Sequence, residues 1–122
     1  MIDHMELLTG NLDRSTAFYR RALAPLGYEL RVEGKSNGFG IDSASLDFWV
    51  RNGGPSAPPP HFAFACATRA LVDRAHQAAL DAGGANNGAP TLLPHIHPRY
   101  YAGFVRDPDG HNVEFVCQQG PD

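Results

Sequence analysis

The sequence predicts an α+β fold made of two βαβββ modules, because one pattern runs twice along its 122 residues. His4-Met5-Glu6-Leu7 opens the first half and His61-Phe62-Ala63-Phe64 opens the second. Each opening is followed by a helix-like stretch and later by an acidic residue within a short apolar strand, Asp47 in one half and Glu114 in the other. Long-period self-similarity of this kind marks a repeated supersecondary unit. Two four-stranded sheets built this way can lie side by side and curve into a cupped mixed β-sheet, with the helices on its outer face.

The elements follow in order. Residues 2–8 alternate as a strand, with His4, Glu6 and Leu8 on one side and Met5 and Leu7 on the other. Asn11 or Asp13 can cap the next helix, whose apolar stripe is Ala17, Phe18, Ala22 and Leu23, and Pro25 and Gly27 stop it. Residues 28–32, 38–41 and 45–51 read as three short strands. A linker at 53–60, rich in Gly and ending in three prolines, cannot enter a helix or ladder. The second module, 61–118, starts with a strand at 61–66. Thr68 then caps a helix through Ala82, with Leu71, Val72, Ala75, Ala79 and Ala82 on one face. Residues 85–98 read as one short irregular strand near 91–93 and a long loop. Strands follow at 100–106 and 112–117, joined by the turn Asp107-Pro108-Asp109-Gly110. Aligning Gly38-Phe39 with Gly103-Phe104 sets Leu46-Asp47-Phe48-Trp49 beside Val113-Glu114-Phe115-Val116.

A chain of this length forms one domain. Its 43% hydrophobic and 19% charged residues fit a globular protein. A net charge of −3 provides no basic field for nucleic acid, and no apolar run approaches a membrane span, so neither partner is expected. Cys66 and Cys117 sit in apolar runs and read as buried free thiols. Without a basic, apolar leader pattern at Met1-Ile2-Asp3-His4, the expected compartment is the cytoplasm.

The bulky residues Met5, Leu7, Phe62, Phe64, Cys66, Val113, Phe115 and Cys117 share the faces that pack under the helices. The opposite faces carry His4, His61, Asp47 and Glu114. A carboxylate there is costly unless paired or coordinated, and a divalent ion supplies the compensation. Two imidazoles with one or two carboxylates suit Ni, Zn, Fe, Mn or Co, and leave coordination positions open for water or substrate. The candidate metal ligands are therefore His4, His61, Glu114 and Asp47, with Glu114 or Asp47 as the proton-moving carboxylate. Trp49, His97, Arg99, Tyr100 and Tyr101 are candidate substrate contacts, the last four from the segment that begins Pro94-His95-Ile96-His97.

At these residues the chain resembles the vicinal oxygen chelate superfamily of glyoxalases, bleomycin-resistance proteins and extradiol dioxygenases. The resemblance rests on Met1-Ile2-Asp3-His4, on Asn11-Leu12-Asp13-Arg14-Ser15 with Phe18-Tyr19, and on residues 107–114, which read Asp-Pro-Asp-Gly-His-Asn-Val-Glu. It implies a single domain over 1–122, with modules 1–52 and 61–118, and His4, His61 and Glu114 as metal ligands. The glyoxalase pattern adds a late carboxylate in the first module, for which Asp47 is the nearest match. A glyoxalase-like lyase would convert a glutathione hemithioacetal to a thioester by removing and returning a proton. An extradiol-type dioxygenase would use two His and one Glu around iron. A bleomycin-resistance-type protein would bind a small aromatic ligand without chemistry. The resemblance also implies a homodimer, with modules pairing within or between chains.

Overall fold

Two helices and eight strands appear in the expected order in the computed structural model, which describes residues 1–55 and 57–120. The first module contains β1 (Met5–Thr9), α1 (Leu12–Ala22), β2 (Glu29–Val32), β3 (Ser36–Gly40) and β4 (Leu46–Asn52). The second contains β5 (His61–Ala65), α2 (Arg69–Asp81), β6 (Ala85–Leu92), β7 (Tyr101–Arg106) and β8 (Asn112–Cys117). Each module forms a four-stranded mixed sheet, ordered β1-β4-β3-β2 in one and β5-β8-β7-β6 in the other. The first and last strands of each module run parallel and the remaining pairs antiparallel. Among the described residues, no helix is long and apolar enough to cross a membrane.

Both helices start where their caps dictate. The Asn11 side chain accepts the Arg14 amide N–H, and the Thr68 side chain accepts that of Leu71, each satisfying a donor that the first turn leaves open. Val72, Ala75 and Ala79 are buried on α2 as the spacing predicts. On α1 the buried face is Ser15, Thr16, Phe18, Tyr19 and Ala22, and Ala17 is exposed. Phe18, Ala22 and Leu23 are buried as the spacing predicts, and the hydrogen-bonded Ser15 and Thr16 widen the buried face.

The sheets share one core. Phe48 of β4 packs edge-on against Tyr19 of α1, with centroids 4.8 Å apart, and against Phe64 of β5 at 5.3 Å. Phe18, Phe39, Val50, Val105, Val113 and Phe115 fill the same interior. Aromatic pairs at such spacings add to the stabilisation that burial itself provides.

Two elements depart from the sequence reading. Residues 85–92 form a full eight-residue strand rather than a short piece near 91–93. Its ladder with β7 shifts register on both sides of Gly88, whose φ of +149° accommodates the irregularity, so pairing overrides an unfavourable composition. Strand β1 begins at Met5, which leaves His4 just ahead of the ladder.

Candidate metal centre and adjoining cleft

In the second module, parallel pairing of β5 with β8 sets His61 opposite Asn112 and Ala63 opposite Glu114. Glu114 alternates with the core residues Val113 and Phe115, so its side chain leaves the sheet on the other face, where it is 4% exposed. His61 Nε2 lies 2.9 Å from Glu114 Oε1, and the Tyr100 hydroxyl donates to Oε2. His61 Nδ1 faces the Asn112 carbonyl at 3.0 Å. Since a carbonyl only accepts, Nδ1 carries a proton and Nε2 is the nitrogen offered to Glu114. An unprotonated nitrogen and a carboxylate oxygen repel at this distance. The contact therefore calls for a positive centre, either a shared proton or a metal ion. Burial, and then the bond to Glu114, push the Tyr100 hydroxyl up to about 12, so it stays a donor at neutral pH.

The first module is arranged differently. His4 is exposed, its Nδ1 2.6 Å from Asp3 Oδ1. It borders a shallow pocket with Glu6, Ser36 and Trp49. The β1–β4 ladder pairs Glu6 with Trp49, two positions after His4, just as Ala63 pairs with Glu114 two positions after His61. Trp49 therefore stands where Glu114 stands in the second module, which corrects the alignment of Asp47 with Glu114. Strand β4 spends two residues, Leu46 and Asp47, against one step of β3 between Phe39 and Gly40. Asp47 is the extra residue of this bulge, and a bulge re-aims its side chain. It accepts the Tyr28 hydroxyl at 3.0 Å. Glu6, which was not singled out from the sequence, is the carboxylate that shares the His4 pocket; it meets Arg51 Nε at 3.1 Å and the Ser36 hydroxyl at 3.3 Å. Strict alternation from His4 was the signal that could have found it.

The candidate substrate contacts separate in space. Tyr100 reaches Glu114, whereas the next residue, Tyr101, points to the helix side, donates to Asp73 at 2.6 Å and lies under the Arg69 guanidinium. His97 Nδ1 accepts the Arg99 amide N–H, and the Arg99 side chain runs beside Gly120. Trp49 donates its indole N–H to the Leu46 carbonyl and faces the His4 pocket.

A cleft of about 570 Å³ runs along the free edge of β5. Met5, Tyr28, Phe48, Phe62 and Phe64 give it an apolar wall, and His61 and Asp47 both reach it.

Asp107, Asp109 and His111 form a further group, with ligand atoms within 4.8 Å of one another, and by spacing it could hold an ion. Its oxygens are already well supplied with donors. Asp107 accepts the Tyr19 hydroxyl at 2.5 Å, His111 Nδ1 at 2.8 Å, and the amides of Asp109 and His111. Asp109 accepts the hydroxyls of Thr9 and Ser15, the Gly10 amide and Arg14. Burial alone would raise the Asp109 carboxyl, but these donors outweigh it and hold the carboxyl below its ordinary value. Burial and the Asp107 charge raise the Tyr19 hydroxyl well above its own. The Asp107–His111 turn thus clamps α1 and the end of β1 onto the second module and explains the burial of Ser15, while Thr16 accepts the Asn37 side-chain amide of β3 at 2.8 Å.

The family profile of the Glyoxalase/Bleomycin resistance protein/Dioxygenase superfamily matches residues 1–115, and the chain belongs to that superfamily. Among solved structures it is similar to a glyoxalase/bleomycin resistance protein from Albidiferax ferrireducens T118, with a TM-score of 0.78 and 20% identity over 94% of this chain and 96% of that one. It is also similar to a lactoylglutathione lyase from Agrobacterium tumefaciens, with a TM-score of 0.71 and 20% identity over 96% and 92% of the two chains. A glyoxalase/bleomycin resistance protein/dioxygenase family enzyme from Burkholderia phytofirmans PsJN gives a TM-score of 0.73 at 15% identity, over 95% and 97%. At these identities the likeness concerns the fold. No curated protein sequence matches the chain.

Proposed function

We propose that the protein is a metal-dependent, glyoxalase-like lyase acting on a small oxygenated substrate, with His61 and Glu114 holding one divalent ion. The observation that carries this reading is the 2.9 Å contact between His61 Nε2 and the buried Glu114 carboxylate, with the far imidazole nitrogen fixed by the Asn112 carbonyl. A fixed imidazole beside a carboxylate in an apolar strand suits Zn, Ni, Co, Mn or Fe. When bound, the ion would polarise a substrate carbonyl and stabilise the negative charge that develops on its oxygen. Glu114 is the group that would take a proton from the substrate carbon and return it to the neighbouring carbon. Tyr100, donating to the other oxygen of Glu114, holds that carboxylate in position. The apolar wall of the cleft would exclude water from the reacting end.

Two protein ligands from one sheet leave the donor set short of a three- or four-ligand site, and the His4 and Glu6 pocket lies on the other sheet. A homodimer that sets the first-module pocket of one copy against His61 and Glu114 of another would complete it. Asp47, which reaches the cleft at a second point, is proposed as a polar substrate contact.

The test begins with metal analysis of protein purified without a metal-binding tag, followed by removal and readdition of single metals. Metal loss in folded His61→Ala and Glu114→Ala, together with turnover of a glutathione hemithioacetal, supports the lyase. Oxygen-dependent catechol cleavage would replace it with the dioxygenase reading. If His4→Ala and His61→Ala are each inactive and activity returns on mixing them, the site is shared between copies. The aromatic lining of the cleft favours a second reading, a non-catalytic binder of a small aromatic ligand. Ligand binding by metal-free protein without turnover would establish that one instead.

A further inference from the structure

We propose that Cys66 and Cys117 form a reversible disulfide that ties β5 to β8 on the face opposite His61 and Glu114. The β5–β8 ladder ends with Ala65 opposite Val116, and the Cys66 amide extends it by donating to the Val116 carbonyl at 2.7 Å. The next pair in register is Cys66 beside Cys117. Both side chains face the core, each two residues beyond an inward phenylalanine, Phe64 and Phe115, and both belong to the same buried cluster. Neighbouring strands run roughly 4.8 Å apart. That lies inside the Cα separation of about 4.4–6.8 Å that a disulfide spans.

Among the described residues, nothing strong holds either thiol elsewhere. Cys66 Sγ faces the Phe64 carbonyl at 3.9 Å and Cys117 Sγ the Ala67 carbonyl at 3.7 Å, both weak contacts. Cys117 Sγ also receives the Gln119 amide N–H at 3.4 Å. Burial, and then the neighbouring Cys117, push the Cys66 thiol up to about 12.

The oxidant is an external low-molecular-weight disulfide. One of the two buried cysteines, exposed by local opening at the strand ends, attacks as its thiolate one of those sulfurs, forming a mixed disulfide and releasing one thiolate, which takes up the proton that cysteine lost. The other cysteine's sulfur, giving up its proton, then attacks the first cysteine's sulfur in the mixed disulfide and expels the second thiol. The protein loses two electrons and two protons, and the external disulfide is reduced to two thiols.

The experiment incubates reduced native protein in glutathione buffers of increasing oxidised fraction, alkylates the remaining thiols, and maps peptides without reduction. The expected result is a single intrachain Cys66–Cys117 cross-link. Both thiols disappear together and return with dithiothreitol, while Cys66→Ser and Cys117→Ser yield only glutathione adducts. Both thiols persisting across the series, adducts without a cross-link, or linkage only between chains would overturn the proposal. The wild-type map decides the matter even if a serine variant does not fold, and it is independent of whether His61 and Glu114 bind metal.

Discussion

The two modules repeat one topology but use it for different ends. In the second, a straight ladder sets His61 and Glu114 two residues apart in register and buries the carboxylate against Tyr100. In the first, the position matching Glu114 carries Trp49, Asp47 is turned to Tyr28 by a bulge, and Glu6 is paired with Arg51. One repeat has kept a charge that needs a positive partner. The other has spread its charges among ordinary partners near the surface. The comparison teaches that equivalence within a repeat is decided by ladder register rather than by residue type along the chain.

The largest effect that would break this contrast is expected at the second-module pair. Under the proposed function, Glu114→Ala or His61→Ala lowers turnover by about 10³-fold or more, as expected when a metal ligand or proton-moving group is lost. Circular dichroism checks that the fold survives. Phe48→Ala removes the ring that joins the modules and should cost about 3–5 kcal/mol in denaturant unfolding. Asp109→Ala strands the donors of Thr9, Ser15, Gly10 and Arg14, at a cost of about 2–4 kcal/mol.

The same carboxylate fixes a sign for acid sensitivity. Because Asp109 is held below its ordinary value when folded, its contribution is complete above the unfolded value of roughly 3.9 and is lost as pH falls through the folded one. Unfolding curves of wild type and Asp109→Asn should therefore converge on acidification. The smallest effect belongs to the first module: Asp47→Asn should change stability by no more than about 0.5 kcal/mol and leave metal content unaltered. A loss of metal as large as that of Glu114→Ala would return Asp47 to the ligand set.

Much of this architecture was legible in the residues. The caps at Asn11 and Thr68 and the alternation of 112–117 report local physics, since a side chain two or three residues away, or one face of a strand, supplies the signal. The approach of His61 to Glu114 was legible for the same reason, because both lie on strand faces that period two specifies. The alignment of Asp47 with Glu114 failed because a bulge shifts which residue faces which way, and a bulge belongs to a strand pair rather than to a strand. Residues 85–92 became a strand because β7 supplies hydrogen-bond partners that Asn, Gly and Pro would not attract by propensity. Ser15 is buried because the Asp107–His111 turn docks on α1 from far along the chain, and Thr16 because it accepts the Asn37 side-chain amide from β3.

The sequence by itself determined the doubled βαβββ order, the helix starts, and the placing of His61 and Glu114 on faces away from the greasy core, because each follows from short-range periodicity and capping. Tertiary structure alone decided that Trp49 stands where the second module has Glu114, and that Asp107 and Asp109 clamp the modules together. Those outcomes depend on ladder register and on contacts between distant segments, and no local pattern encodes either.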